Sequence, residues 1–387
     1  MDYAAKTTTE LNRLHDEIKR DTRIISLSGL TSIASKAFIL SDLQAQTKKT
    51  FVVVTDTNKE LETWECDLEF FQNSRQKVKG KRQNEDSAIR NSQSAILTLP
   101  SFETDVYSGV SPHAETQEKR ALTLWHLTQN APDFLIVSAK SLITKTLAPA
   151  EVRNLGASLK RDEDFAPEAL IEKLIAGGYA REEPLKNVGE FSVRGGIIDV
   201  WSPTAENPVR LEFFGDAIDS IREFDAETQL SIRQLTEISI APMREFSATA
   251  KNFKDWAFFA RERFSDEKFA RNLKDRTQFA EMGEDFAGWE FQISLVNPKN
   301  ASVFDYLKTA IFVADEPTLI EQTLTNFYET TEKHFAEITE ADDIGLEPNE
   351  LFLDGATLRE KLADKPRIEL RALGRTAAAT DEEFQVT

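Results

Sequence analysis

Four short, nearly continuous apolar runs constrain this chain most: Ile24-Ile-Ser-Leu27, Phe51-Val-Val-Val-Thr55, Ala95-Ile-Leu-Thr-Leu99 and Phe134-Leu-Ile-Val137. A strand with one wet face alternates apolar and polar residues, whereas a strand covered on both faces does not. Helical patterns separate the runs, over residues 31–46, 59–71 and 112–128. In the last of these Ser111 is the expected N-cap and Pro112 the first helical residue. Strand and helix in alternation predict an α/β domain over residues 1–147, built on a parallel sheet with helices on both faces.

Near Pro149 the pattern changes. Residues 164–176 read as a helix, with Pro167 in its first turn and an apolar stripe of Leu170, Ile171, Leu174 and Ile175, stopped by Gly177-Gly178. Then come strands broken by turn residues, Gly189-Glu-Phe-Ser-Val-Arg194-Gly-Gly-Ile-Ile-Asp-Val-Trp-Ser-Pro203 and Val209-Arg-Leu-Glu-Phe-Phe-Gly-Asp-Ala-Ile-Asp-Ser-Ile-Arg222. Period-two alternation puts Phe191 and Val193 on one face of the first strand and Glu190, Ser192 and Arg194 on the other. A helix followed by consecutive antiparallel strands is α+β, so residues 148–240 form an inserted domain. From 241 to 387 helical patterns return, with another buried strand at Ala310-Ile-Phe-Val-Ala314. This stretch is expected to complete the first domain. Residues 376–387, small and acidic, are expected to fray.

The chain has 387 residues and a formal net charge of −19. Nucleic-acid affinity comes largely from Lys and Arg releasing counterions, so this charge opposes autonomous DNA binding. The basic cluster Arg75-Gln-Lys-Val-Lys-Gly-Lys-Arg82 begins a polar stretch that runs to Ser94 and reads as a mobile loop. Cys66 is the only cysteine, so no disulfide framework exists, and no apolar run approaches a bilayer span of about 20 residues. A cytoplasmic protein is expected.

Two motifs bear on nucleotide chemistry. After the first apolar run comes Ser28-Gly29-Leu-Thr-Ser-Ile-Ala-Ser35-Lys36-Ala37, the setting of a phosphate-binding loop between strand and helix. A working loop needs glycines to bare its N–H groups and a Ser or Thr after the lysine to hold Mg²⁺. Here Ala37 follows Lys36 and Gly29 is one position too far away, so Gly29, Ser35 and Lys36 are expected to form an inactive loop. Asp315-Glu316 ends an apolar run as a Mg²⁺-handling acidic pair would. Without a competent loop it reads as a solvated strand end or helix N-cap. His15, His113, His126 and His334 are scattered. Neither a metal site, nor a catalytic triad, nor any cofactor is expected.

The exposed arginines of the inserted domain have two readings: surface pairs with neighbouring carboxylates, or anchors for a partner, because the planar guanidinium binds carboxylates bidentately. The strings Arg194-Gly-Gly-Ile-Ile-Asp199 and Leu211-Glu-Phe-Phe-Gly-Asp216 resemble the inserted domain shared by bacterial transcription-repair coupling factors and the UvrB subunit of the excision nuclease. Leu99-Pro-Ser-Phe-Glu-Thr104 and Tyr107-Ser-Gly-Val-Ser-Pro-His113 are similar to the first domain of the coupling factors. The resemblance implies a degenerate RecA/helicase-like α/β domain carrying an inserted α+β domain that docks UvrA. It places the docking face on Arg181, Phe191, Arg194, Arg210 and Glu212. It also implies a non-enzymatic adaptor of transcription-coupled excision repair. The family's RNA-polymerase-binding and DNA-translocating domains are expected to be absent. The rival readings are a UvrB-like ATP-dependent DNA-processing enzyme and an autoinhibitory domain of a larger translocase.

Overall fold

The structure is a computed structural model, which describes residues 13–20, 23–78, 95–372 and 383–385. The first strands are β1 (Ile24–Ser28), β2 (Phe51–Thr55), β3 (Ile96–Leu99) and β4 (Phe134–Ser138). The insertion contributes β5 (Ala157–Lys160), β6 (Ala180–Arg181), β7 (Glu190–Arg194), β8 (Ile197–Val200), β9 (Val209–Phe214), β10 (Ala217–Phe224), β11 (Ser231–Leu235) and β12 (Glu237–Ile240). The returning chain adds β13 (Ile311–Asp315), β14 (Arg367–Arg371) and β15 (Glu383–Gln385).

Seven strands form one parallel sheet in the order β15-β1-β14-β13-β2-β4-β3. Its apolar runs divide residue by residue between two cores. Phe51, Val53, Phe134, Ile136, Ile311 and Val313 face the helices Ile33–Thr47 and Leu61–Val78, meeting Leu40, Leu43, Trp64 and Leu68. Val52, Val54, Leu135, Val137 and Phe312 face the opposite layer, which includes Leu124 of Ala114–Gln129 and Trp256 of Ala250–Arg263. Burying each such side chain contributes about 1.5–3 kcal/mol, which explains why both faces of these strands are mostly apolar, with Thr55, Ser138 and Asp315 only at their C-terminal ends.

Some local expectations change. Helix Ala114–Gln129 starts after Pro112, with His113 at the N-cap position, while the Ser111 hydroxyl accepts a hydrogen bond from the Gly288 N–H at 3.1 Å. Arg75 belongs to the helix ending at Val78 rather than to a loop, and it donates to the Ser41 carbonyl at 2.8 Å. Residues 79–94 lie outside the described residues. Of the tail expected to fray, Glu383–Gln385 pairs with β1 as an edge strand, and the rest lies outside the described residues.

The insertion packs helix Pro167–Ala176 on a six-stranded sheet of order β11-β10-β9-β8-β7-β6, antiparallel except at the β6 edge. Pro167 opens the helix, and Gly178, at φ +93°, turns the chain away from it. Phe191, Ile198, Val200, Leu211 and Ile221 fill the core beneath Leu170 and Leu174. A two-stranded ladder of β5 and β12 joins the entry and exit of the insertion.

Candidate functional site

Two places hold the residues singled out from sequence. The first is the end of β1. Gly29, at φ +86°, donates its N–H to the Arg371 carbonyl, and Ser32 caps the next helix by accepting from the Ser35 N–H at 3.2 Å. Lys36 lies in the first turns of that helix with its side chain buried. Its Nζ is 2.5 Å from Asp315 Oδ1 and 3.0 Å from Glu316 Oε1, and the Trp64 indole N–H donates to Asp315 Oδ2 at 3.0 Å. Burial alone would lower the pKa of Lys36. The hydrogen bond and charge of Asp315, then those of Glu316, outweigh it and hold the ammonium above its ordinary value.

The acidic pair is therefore not a solvated strand end, and the expected helix N-cap is met only in position, by Glu316. Asp315 is buried, and Glu316 occupies the N-cap position of Pro317–Glu340 at φ +55° without a capping side-chain bond. Its Oε1 also accepts from the Ala372 N–H at 2.8 Å. The ammonium that would meet a phosphate already bridges two carboxylates, and those carboxylates would repel an incoming anion.

The second place is the outer face of the six-stranded sheet. Register aligns Ser192, Asp199, Arg210, Arg222 and Gln234 in one row across β7 to β11. Arg194, Ile197, Glu212 and Ser220 form the next. Asp199, only 2% exposed, organises the first row. Arg210 reaches it bidentately, Nε to Oδ1 at 2.7 Å and Nη2 to Oδ2 at 2.9 Å, and Arg194 Nη2 reaches Oδ2 at 2.6 Å. The hydrogen bond to Asp199 raises the pKa of Arg210, whose guanidinium also stacks 4.5 Å from the Phe224 ring. Arg194 keeps 45% of its side chain exposed and lies 3.7 Å from Glu183. Glu212 accepts from Ser220 Oγ at 2.7 Å and is also bonded by Arg222.

Two tight turns set this register. Arg194 pairs with Ile197 across Gly195-Gly196, and Phe214 pairs with Ala217 across Gly215-Asp216, with Gly195 and Gly215 at positive φ. Of the five expected docking residues, the fold brings Arg194, Arg210 and Glu212 together. Phe191 is a correction: fully buried, it points into the domain core and presents nothing to a partner. Arg181 is exposed, but its register opposite Phe191 sets it on the other face, at the sheet's edge. Sequence reasoning passed over Asp199, although a lone acid inside Ile-Ile-Asp-Val is itself a signal of an internal partner. Phe214 was also missed. Alternation along β9 puts it with Arg210 and Glu212, and it is 84% exposed.

Residues 157–246 match the family model of the UvrB interaction domain. The chain carries a UvrB interaction domain. That domain runs from β5 to Phe246, just past the exit of the insertion, and contains the whole Asp199 face. Over much longer stretches the chain is similar to transcription-repair-coupling factors. It is 28% identical to that of Myxococcus xanthus over 356 residues, 90% of this chain and 28% of the relative. With the Haemophilus influenzae protein it shares 27% over 282 residues, 72% of this chain and 24% of the relative. The Bacillus subtilis protein is 29% identical over 236 residues, 61% of this chain and 18% of the relative. The chain thus spans roughly a quarter of the length of the curated relatives it matches. Among the described residues no helix is long and apolar enough to cross a membrane. Among the same residues no cluster of three or more His, Cys, Asp or Glu is placed to hold a metal ion.

Proposed function

We propose that this chain is a non-catalytic docking module of transcription-coupled excision repair, acting in the cytoplasm, whose UvrB interaction domain receives UvrA on the Asp199 face. The observation that carries the reading is Arg194: a half-exposed guanidinium fixed to a buried aspartate on a rigid sheet. Arginines so placed are the usual anchors of protein interfaces. Arg210, Glu212 and the exposed Phe214 ring extend the face, and Arg181 borders it from the edge. We assign no ATP chemistry to the core, because the bridge from Lys36 to Asp315 and Glu316 takes the place of a phosphate. Contacts with RNA polymerase and with DNA are assigned to parts of the longer relatives that this chain does not span.

The test mixes purified chain with UvrA and measures affinity by titration calorimetry. The intact chain is expected to bind. Arg194→Ala is expected to weaken binding about thirtyfold, as truncating a hot spot worth about 2 kcal/mol does. No binding by the intact chain, or equal affinity for the variant, rejects the reading. Saturable ATP binding abolished by Lys36→Ala would favour the ATP-dependent enzyme instead.

A further inference from the structure

The insertion leaves and rejoins the core through two segments with almost no slack. The outgoing chain passes Gly156, where a Cβ would lie 2.3 Å from the Trp125 indole nitrogen and 2.6 Å from the Ile240 carbonyl. On the return, the Tyr179 hydroxyl donates to the Ala241 carbonyl at 2.5 Å, and the N–H groups of Met243 and Arg244 donate to the Gly177 carbonyl. Met243 also fills the space that a side chain at Gly189 would need. The hydrogen bonds of the return hold it to the insertion, while Gly156 and Arg244 also lie against Trp125 and Trp289 of the core.

From the next residue the core shares the hold, while the Ala248 N–H still donates to the Ala176 carbonyl of the insertion at 3.3 Å. Glu245, buried, accepts from Arg120 Nε at 3.1 Å and Nη2 at 3.5 Å. Arg120 is itself fully buried on helix Ala114–Gln129. Its Nη1 donates to the Pro100 carbonyl at 2.7 Å and to Ser141 Oγ at 2.6 Å, and its guanidinium lies over Phe102. Phe246 then packs edge-on against Trp289. The bonded fork of Arg120 makes the handover directional, which apolar packing alone would not.

We propose that Gly156, Arg120 and Glu245 are positioning residues that clamp the UvrB interaction domain to the core and so set the direction in which its Arg194 face points. The proposal rests on the docking reading only for the purpose of that orientation. The orientation itself can be read without any partner.

The native Cys66, exposed on helix Leu61–Val78, and an introduced Glu227→Cys on the exposed turn between β10 and β11 provide a spin-label pair spanning core and insertion. The otherwise native chain is expected to give one narrow distance distribution. Gly156→Ala cannot keep a Cβ 2.3 Å from the Trp125 ring and 2.6 Å from the Ile240 carbonyl, so the junction must shift and the distribution is expected to move or broaden. Glu245→Ala is expected to broaden the distribution at temperatures well below melting. Should that variant not fold, Arg120→Met combined with Glu245→Leu, which replaces the buried pair with apolar groups, takes its place and is expected to broaden it likewise. Unchanged distances in Gly156→Ala and in the folded Glu245 variant would overturn the proposal, whatever happens to the melting temperature. UvrA affinity measured on the labelled native chain separates failure of the docking reading from failure of the clamp.

Discussion

The Lys36 end of the core and the outer face of the insertion are built on the same element, a buried aspartate receiving cationic donors. At Asp315 the cation is Lys36, itself buried, and the remaining donor is the internal Trp64 indole. At Asp199 the donors are two arginines, one largely covered and one 45% exposed. One arrangement consumes its charge internally. The other holds an arginine in place while leaving part of it in solvent. What separates a closed site from a presented one is therefore the exposure of the partner cation, not the presence of the ion pair.

The comparison can be broken by substitution. The largest effect is expected from Lys36→Ala, which strands Asp315 and Glu316 around a buried cavity and should cost about 3–5 kcal/mol in urea unfolding. A change below 1 kcal/mol would mean that the bridge is not formed. Next comes Arg210→Ala, which removes the bidentate partner of a buried carboxylate. Because Arg194 remains on Asp199, a smaller loss of about 1–3 kcal/mol is expected. Arg194→Ala is expected to cost only about 0–1 kcal/mol, since half of it is solvated, while producing the large drop in UvrA affinity. If Arg194→Ala destabilised the fold as strongly as Lys36→Ala, the distinction between the two regions would fail.

The smallest expected effect sharpens the comparison through pH. The folded pKa of Lys36 is raised, so its stabilisation is full below the ordinary lysine pKa and is lost as pH rises through the folded value. The native chain should lose stability with alkali more steeply than Lys36→Met does. Parallel curves for the two proteins would refute the assignment.

The strands covered on both faces were legible because burial on both sides leaves no room for polar alternation, as in Phe51–Thr55. β14 escaped for the same reason in reverse. Arg367-Ile-Glu-Leu-Arg371 alternates like a surface strand, yet it lies between β1 and β13. Its buried Glu369 is met by Arg371 and by the Ser26 hydroxyl, partners far away or unremarkable in sequence. The candidate face was half legible. Alternation along β7 separates Phe191 from Arg194 correctly, and it is the resemblance, which puts both on one docking face, that assigns Phe191 to a surface it never reaches. Arg181 was misplaced because register between strands is a property of pairing. Asp199 is signalled in sequence as a lone acid in an apolar run, but only the fold shows that its partners are Arg194 and Arg210.

The burial of Asp199 also bears on kinetics. A long arginine usually gives up rotamer freedom when a partner immobilises it, and that loss weakens binding. Arg194 has surrendered much of this freedom already, within the folded domain and before any encounter. In the proposed docking, added salt should therefore slow association by screening the approach, while the dissociation rate, governed by a side chain already held in its bound pose, should change little.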